Sequence, residues 1–214
     1  AVLIKQVPGA ESPLQISSDQ KWVDESAVAY VMNESDNYAL EEALQIKEAH
    51  GEGEVVAVSL GPERVQKTVR EALAKGADRA IHIKMDTVEA IDPLVTAGHL
   101  KNPLEEENFD LIFTGLQSDD LGMGQTGVIL GEMLGMTTAS LVMATEVSAG
   151  NIKVKRELEA GWFQWVSLSL PASITIQSGL NTPRYPSLKG IMGAKKKEIK
   201  VVEGEGTDAG QSMV

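Results

Sequence analysis

Between residues 54 and 134 apolar runs alternate with segments of helical period, and this alternation constrains the fold more than any other feature. Residues 54–60 form a short continuous apolar run, the pattern of a strand covered on both faces. Gly61-Pro62 follows, and Val65, Val69, Ala72 and Leu73 then repeat at helical spacing up to Gly76. Residues 79–84 read as a strand, 88–101 as a helix, 109–115 as a fourth strand and 124–134 as a fourth helix. The first strand of this count covers residues 2–4 and ends in a turn at Pro8-Gly9. The first helix opens near Asn33, with Asp36 its candidate N-cap, and runs to about Ala49 before Gly51 and Gly53 stop it. Residues 10–32 show no period and read as a long excursion. Strands alternating with helices predict an α/β fold, a doubly wound and mostly parallel, Rossmann-like sheet joined by right-handed crossovers.

After Gly135 the pattern changes. Residues 139–148, 151–158, 162–170 and 172–178 all read as strands, so a hairpin-rich section is expected on the α/β body. The expected organisation is one domain over residues 1–200 and a flexible C-terminal arm over 201–214, which is rich in glycine and acid.

Charge and composition narrow the function. The net charge of −12 argues against nonspecific nucleic-acid binding and against anionic membrane surfaces. The absence of cysteine excludes disulfides, thiolate metal sites and cysteine nucleophiles. His50, His82 and His99 lack ligand spacing, so no metal site is expected. No apolar run is long enough to span a bilayer, so no direct membrane insertion is expected. The first residues read as a strand rather than a leader, which suits a bacterial cytoplasm better than a mitochondrial matrix.

Two segments carry functional signals. Gly122-Met-Gly124-Gln-Thr-Gly127 has dinucleotide-fingerprint spacing, which serves close backbone approach to a phosphate at a helix start. Residues 116–122 separate it from the preceding strand, unlike the usual arrangement. Two readings stay open: a nucleotide-phosphate site, or a helix start that needs small residues for packing. In an open α/β sheet the loops 5–9, 59–62 and 115–127 gather at the carboxyl edge, where ligands bind. The second segment, 181–197, places Tyr185, Leu188, Ile191 and Met192 among lysines and an arginine. It reads either as an apolar docking patch rimmed by cations or as a solvated loop. No nucleophile–base–acid constellation is present, so no catalytic residue is assigned.

From about Val2 to Lys200 the sequence resembles the beta subunit of the electron-transfer flavoproteins. The resemblance is carried by Tyr38-Ala-Leu-Glu-Glu-Ala43, Val56-Ala-Val-Ser-Leu-Gly-Pro62, Ala72-Leu-Ala-Lys-Gly-Ala-Asp-Arg79, Gly115-Leu-Gln117, Gln125-Thr-Gly127, Lys155-Arg-Glu157 and the segment 180–197. It implies a heterodimer whose alpha subunit holds most of a redox FAD, while the beta subunit buries a structural AMP and does no bond-making chemistry. It implies an AMP site at Leu3, Asn33, Leu60, Ser118, Leu121, Gly124, Gln125 and Thr126. Leu121 and Gly124 depart from the Asp and Asn often found there. Electron-bifurcating members carry a second FAD in this place and tend to have Val-Gly-Pro where this chain has Thr126-Gly127-Val128. The resemblance therefore favours AMP.

It also places the anchor leucine of the family, which enters a pocket on the donor dehydrogenase, at Leu188, with Tyr185, Ile191 and Met192 beside it. Electrons would pass on to a quinone reductase or another acceptor. Trp22, Tyr30, Ser35-Asp-Asn37 and Gln211-Ser-Met213 resemble the subgroup serving trimethylamine-type dehydrogenases, with acyl-CoA dehydrogenases the other donor class. The rival readings are a self-sufficient ATP-binding stress or signalling module and a nucleotide-using enzyme.

Overall fold

A computed structural model describes residues 1–20, 22–85 and 92–204. In chain order the elements are β1 (Val2–Leu3), β2 (Gln6–Pro8), β3 (Tyr30–Met32), α1 (Glu34–His50), β4 (Val56–Gly61), α2 (Gln66–Lys75), β5 (Arg79–Lys84), α3 (Pro93–Glu105), β6 (Leu111–Gly115) and α4 (Thr126–Met133). They continue with β7 (Thr137–Ser148), β8 (Asn151–Glu157), β9 (Phe163–Ser169), β10 (Ala172–Ile176), α5 (Leu188–Ala194) and β11 (Ile199–Glu203). Nine strands form one sheet in the order β11-β5-β4-β1-β6-β10-β7-β8-β9. Every neighbouring pair from β11 to β7 is parallel, and β8 and β9 add antiparallel strands at the far edge.

Successive strand residues point to opposite faces, and this sorts the core into two layers. Val2, Ala57, Ala80 and Phe113 pack with Leu40 and Leu44 of α1, Val69 and Leu73 of α2, and Ala194 of α5. Leu3, Val56, Val58, Ile81, Ile83 and Ile112 pack with Leu100 and Leu104 of α3 and Leu130 of α4. The sheet is therefore covered on both sides, as a doubly wound α/β fold requires.

Several expectations are corrected. The 172–178 run, expected as one strand of the hairpin-rich section, belongs instead to the parallel body of the sheet. As β10 it lies between β6 and β7, parallel to both, and all five of its residues are buried. β10 alternates Ser173 and Thr175 with apolar residues, yet both of its faces are buried, so its local pattern does not mark it as central; the exposed β9 sits at the edge. Residues 5–9 are not a simple turn, because β2 pairs antiparallel with β3 and ties the ends of the 10–32 excursion together.

Helix α3 begins at Pro93, behind Asp92, whose carboxylate accepts from Leu94 N at 2.7 Å. It runs to Glu105, past the expected end at 101; the earlier part of the expected helix, residues 88–91, lies outside the described residues. The sheet extends through Glu203, so the first residues of the expected 201–214 arm belong to β11, paired with β5. Residues 205–214 lie outside the described residues. The 181–197 segment contains α5, opened by Ser187, whose hydroxyl accepts from Gly190 N at 3.0 Å. Among the described residues no helix is long and apolar enough to cross a membrane.

Candidate functional site

Strands β1 and β6 are neighbours, yet α1 leaves β1 toward one face while α4 leaves β6 toward the other. This is the topological switch point at which doubly wound sheets open a crevice. A cleft of about 270 Å3 lies there, walled by Leu3, Val58, Leu60 and Leu100 and closed by the loops after β1, β4 and β6. Leu3, Asn33, Leu60, Ser118, Leu121, Gly124, Gln125 and Thr126 all line it. The three loops expected at the carboxyl edge meet in this one place.

The glycine-rich turn has the packing role, and its geometry also suits the other reading left open by the sequence. Gly122 and Gly124 adopt φ of +64° and +65°, the left-handed region that favours glycine. A Cβ on Gly127 would run into Thr114 Oγ1, so this glycine lets α4 lie directly on β6. Gln125 is the N-cap of α4 and makes no side-chain capping bond. The first N–H groups of that helix, which have no intrahelical acceptors, belong to residues lining the cleft. Thr114 Oγ1 is buried without a hydrogen-bond partner, and Thr114 also lines the cleft. Apolar walls, an uncapped helix start and a partnerless buried hydroxyl together suit a nucleotide.

Asn33 contributes by position. It is the N-cap of α1 but does not cap its own helix through its side chain. Its Nδ2 donates to Ser35 Oγ and to the Gln117 carbonyl, both at 3.0 Å, and its Oδ1 accepts from Asp119 N at 2.9 Å. Ser35 Oγ donates to the same Gln117 carbonyl at 2.8 Å. The buried amide thus moulds the 117–119 loop, which continues into the glycine turn.

Asp36, expected as the N-cap, is the third residue of α1, within its first turn, and is buried. Its two oxygens accept from Lys5 N at 2.7 Å and Gly115 N at 2.9 Å, joining the ends of β1 and β6 across the switch point. Burial pushes its carboxyl up to about 7, against the pull of these backbone donors. The folded chain therefore holds a proton there that the unfolded chain, near 3.8, gives up. The contribution of this group to stability is greatest below the unfolded value and is lost as pH rises through about 7. Lowering the pH from 8 to 5 is expected to stabilise the wild type relative to Asp36→Asn by about 2–3 kcal/mol. Urea unfolding at each pH measures this, and a pH-independent difference between the two proteins would refute it.

The sequence reading missed the charged lining of the cleft. Lys5 Nζ meets Asp120 Oδ1 at 2.6 Å and donates to Ser118 Oγ at 3.2 Å. Burial pushes the Asp120 carboxyl up, but the Lys5 ammonium and the Ser118 hydroxyl outweigh it and hold the group below its ordinary range. Arg64 lies over the Tyr30 ring at 3.9 Å, donates to Gln6 Oε1 at 2.7 Å and pairs with Glu25 at 3.3 Å. The position of Lys5 directly after the central strand was a usable signal. Arg64 carries no local signal, because its partners come from β2 and the 10–32 excursion.

The four apolar residues of the 181–197 segment stay exposed. Tyr185 is 93% exposed, Leu188 76%, Met192 66% and Ile191 46%, in and beside α5. The segment around them is fastened. Arg184 clamps Glu41 and Glu48 of α1, and Asn181 Nδ2 donates to the Tyr38 carbonyl and to Glu42, both at 3.1 Å. Arg70 donates to the carbonyls of Ala194 and Lys197 at 2.6 and 2.8 Å. The expected cationic rim is therefore incomplete: Lys197 turns inward and donates to the Leu73 and Ala77 carbonyls at the end of α2.

Comparison with known proteins agrees with this geometry. The family model described as "Electron transfer flavoprotein domain" matches residues 20–205. The chain is 40% identical over 204 residues to the electron transfer flavoprotein subunit beta of Methylophilus methylotrophus, covering 94% of this chain and 77% of that protein. It is 40% identical over 209 residues to the subunit of the same name from Bradyrhizobium diazoefficiens, covering 97% and 83%. The Mus musculus protein of that name is 36% identical over 204 residues, covering 94% and 80%. Matches of this depth over nearly the whole chain show that the protein belongs to the electron transfer flavoprotein beta-subunit family.

Proposed function

We propose that this chain is the beta subunit of a heterodimeric electron carrier. It holds one AMP in the switch-point cleft, helps enclose an FAD bound mainly by an alpha subunit, and docks a donor dehydrogenase through residues 181–197. In this reading residues 1–204 act as one α/β domain. The observation that carries it is the convergence of eight residues from four separate stretches of chain, implied as nucleotide contacts by family resemblance, on one cleft.

Each part of the chain has a definable task. Leu3, Leu60 and Leu121 offer apolar surface to a base and ribose. Gly124, Gln125 and Thr126 offer backbone N–H groups and two polar side chains to a phosphate. Asn33 holds the loop that carries them. The flavin supplies the redox chemistry when bound, and this chain holds and orients. The donor is a trimethylamine-type or acyl-CoA-type flavoprotein dehydrogenase, and the acceptor a quinone reductase or a carrier of similar potential. The exposed apolar residues around α5, set on a segment clamped to α1, support the docking role. Thr126-Gly127-Val128 supports AMP over a second FAD.

Copurification with the alpha subunit, denaturation and quantification of released nucleotides tests the reading. One FAD and one AMP per heterodimer is the expected result. Two FAD and no AMP would place the protein in the bifurcating branch, and a chain that forms no complex and carries no flavin would overturn the proposal.

A further inference from the structure

The charged groups lining the cleft are arranged in pairs. Among the described residues that line it, the cations are Lys5 and Arg64 and the carboxylates are Glu25, Asp36 and Asp120. Lys5 is matched to Asp120 at 2.6 Å and Arg64 to Glu25 at 3.3 Å. Arg64 is held further by Gln6 and by the Tyr30 ring, so it is not free to follow a ligand. Lys5 differs. Its exposure is close to that of Arg64 (40% against 36%), but its two partners, Ser118 and Asp120, both sit on the loop leading into the glycine turn. Asp120 also accepts from Leu121 N at 2.8 Å, which fixes its carboxylate at the entrance of that turn.

We infer that Asp120 is a specificity-determining residue of the nucleotide site: by occupying the Lys5 ammonium it leaves the cleft, among the described residues, without surplus positive charge, so that the site accepts a nucleoside monophosphate and rejects the di- and triphosphate. The inference rests on the nucleotide reading given above. Its physical basis is that one phosphate can be met by backbone N–H groups at the start of α4, which carry partial charge only. Each further phosphate adds full negative charge and needs a cation. The available ammonium is already neutralised, and the Asp120 carboxylate repels the added charge at short range. Rejection by an opposing like charge is a common route to discrimination between related ligands.

The test uses the αβ heterodimer refolded without nucleotide and titrated calorimetrically with AMP, ADP and ATP. The wild type is expected to bind AMP at least tenfold more tightly than ATP, with ADP between them. Asp120→Asn keeps the oxygen that accepts from Leu121 N and Lys5 Nζ but removes the negative charge opposite the ammonium, and is expected to tighten ATP tenfold or more and to compress the AMP-to-ATP ratio. Lys5→Gln leaves Asp120 unopposed and is expected to weaken AMP tenfold or more, which gives a second readout if Asp120→Asn does not refold. An unchanged AMP-to-ATP ratio in Asp120→Asn, or unchanged AMP affinity in Lys5→Gln, would overturn the inference while leaving the nucleotide site standing. A wild-type heterodimer that binds none of the three would instead refute the site itself.

Discussion

Arg184→Ala is expected to destabilise the protein by about 3 kcal/mol and to release the segment ahead of α5 from α1. Arg184 Nε and Nη2 donate to the two oxygens of Glu41 at 2.8 and 3.0 Å, and its backbone N–H donates to Glu41 at 3.1 Å. Nη1 reaches Glu48 at 2.6 Å. The Glu41 side chain is only 6% exposed, whereas that of Arg184 is 31% exposed. Removing the cation therefore strands a buried carboxylate, the costly way to break an ion pair, and the partial exposure of Arg184 sets the loss at the lower end of that range. Burial pushes the Glu41 carboxyl up, but hydrogen bonds from Arg184 and Gln45 hold it below its usual range. The stabilisation is accordingly present above the unfolded value of 4.5 and lost as pH falls through the lower folded value. Urea unfolding at neutral pH should show the full difference between wild type and variant, and at acid pH the difference should narrow. Equal stability at neutral pH would mean that the clamp contributes nothing.

Leu188→Ala is expected to slow reduction of the heterodimer by its donor dehydrogenase tenfold or more while leaving AMP content, FAD content and melting temperature unchanged. Burying one leucine side chain contributes about 1.5–3 kcal/mol, which corresponds to roughly tenfold to a hundredfold in affinity. Leu188 is 76% exposed and begins α5, so its truncation removes no packing within the chain. Stopped-flow reduction at sub-saturating donor measures the effect. Unchanged kinetics would remove Leu188 from the docking surface and leave Tyr185, Ile191 and Met192 as the exposed apolar candidates.

These two residues show how differently parts of the molecule could be read beforehand. Leu188 was identifiable because an apolar residue in a segment full of breakers and charges has no core to enter, and it remains exposed in the fold. Arg184 was visible in the same segment, but its role was not, because Glu41 and Glu48 lie more than a hundred residues away on α1. Asp36 is the same case in reverse. A short acid near a helix start reads locally as a cap, yet its oxygens are taken by backbone donors of β1 and β6, strands that meet only in the sheet.

The amino-acid sequence alone determined the order β1, α1, β4, α2, β5, α3, β6 and α4, though not the β2–β3 pair, together with the two-faced character of the central strands and the gathering of loops at the carboxyl edge. Those properties follow from periodicity and turn residues, which are local. The family resemblance added which positions line the cleft. The tertiary structure decided that β10 enters between β6 and β7, that β11 pairs with β5, and that Asn33 and Asp36 bind the loops of the switch point together. It also decided that Lys5 faces Asp120 and that Lys197 turns inward. Strand order and side-chain partners depend on contacts between residues distant in sequence, where competing pairings have nearly the same local pattern and only packing of the whole sheet selects among them.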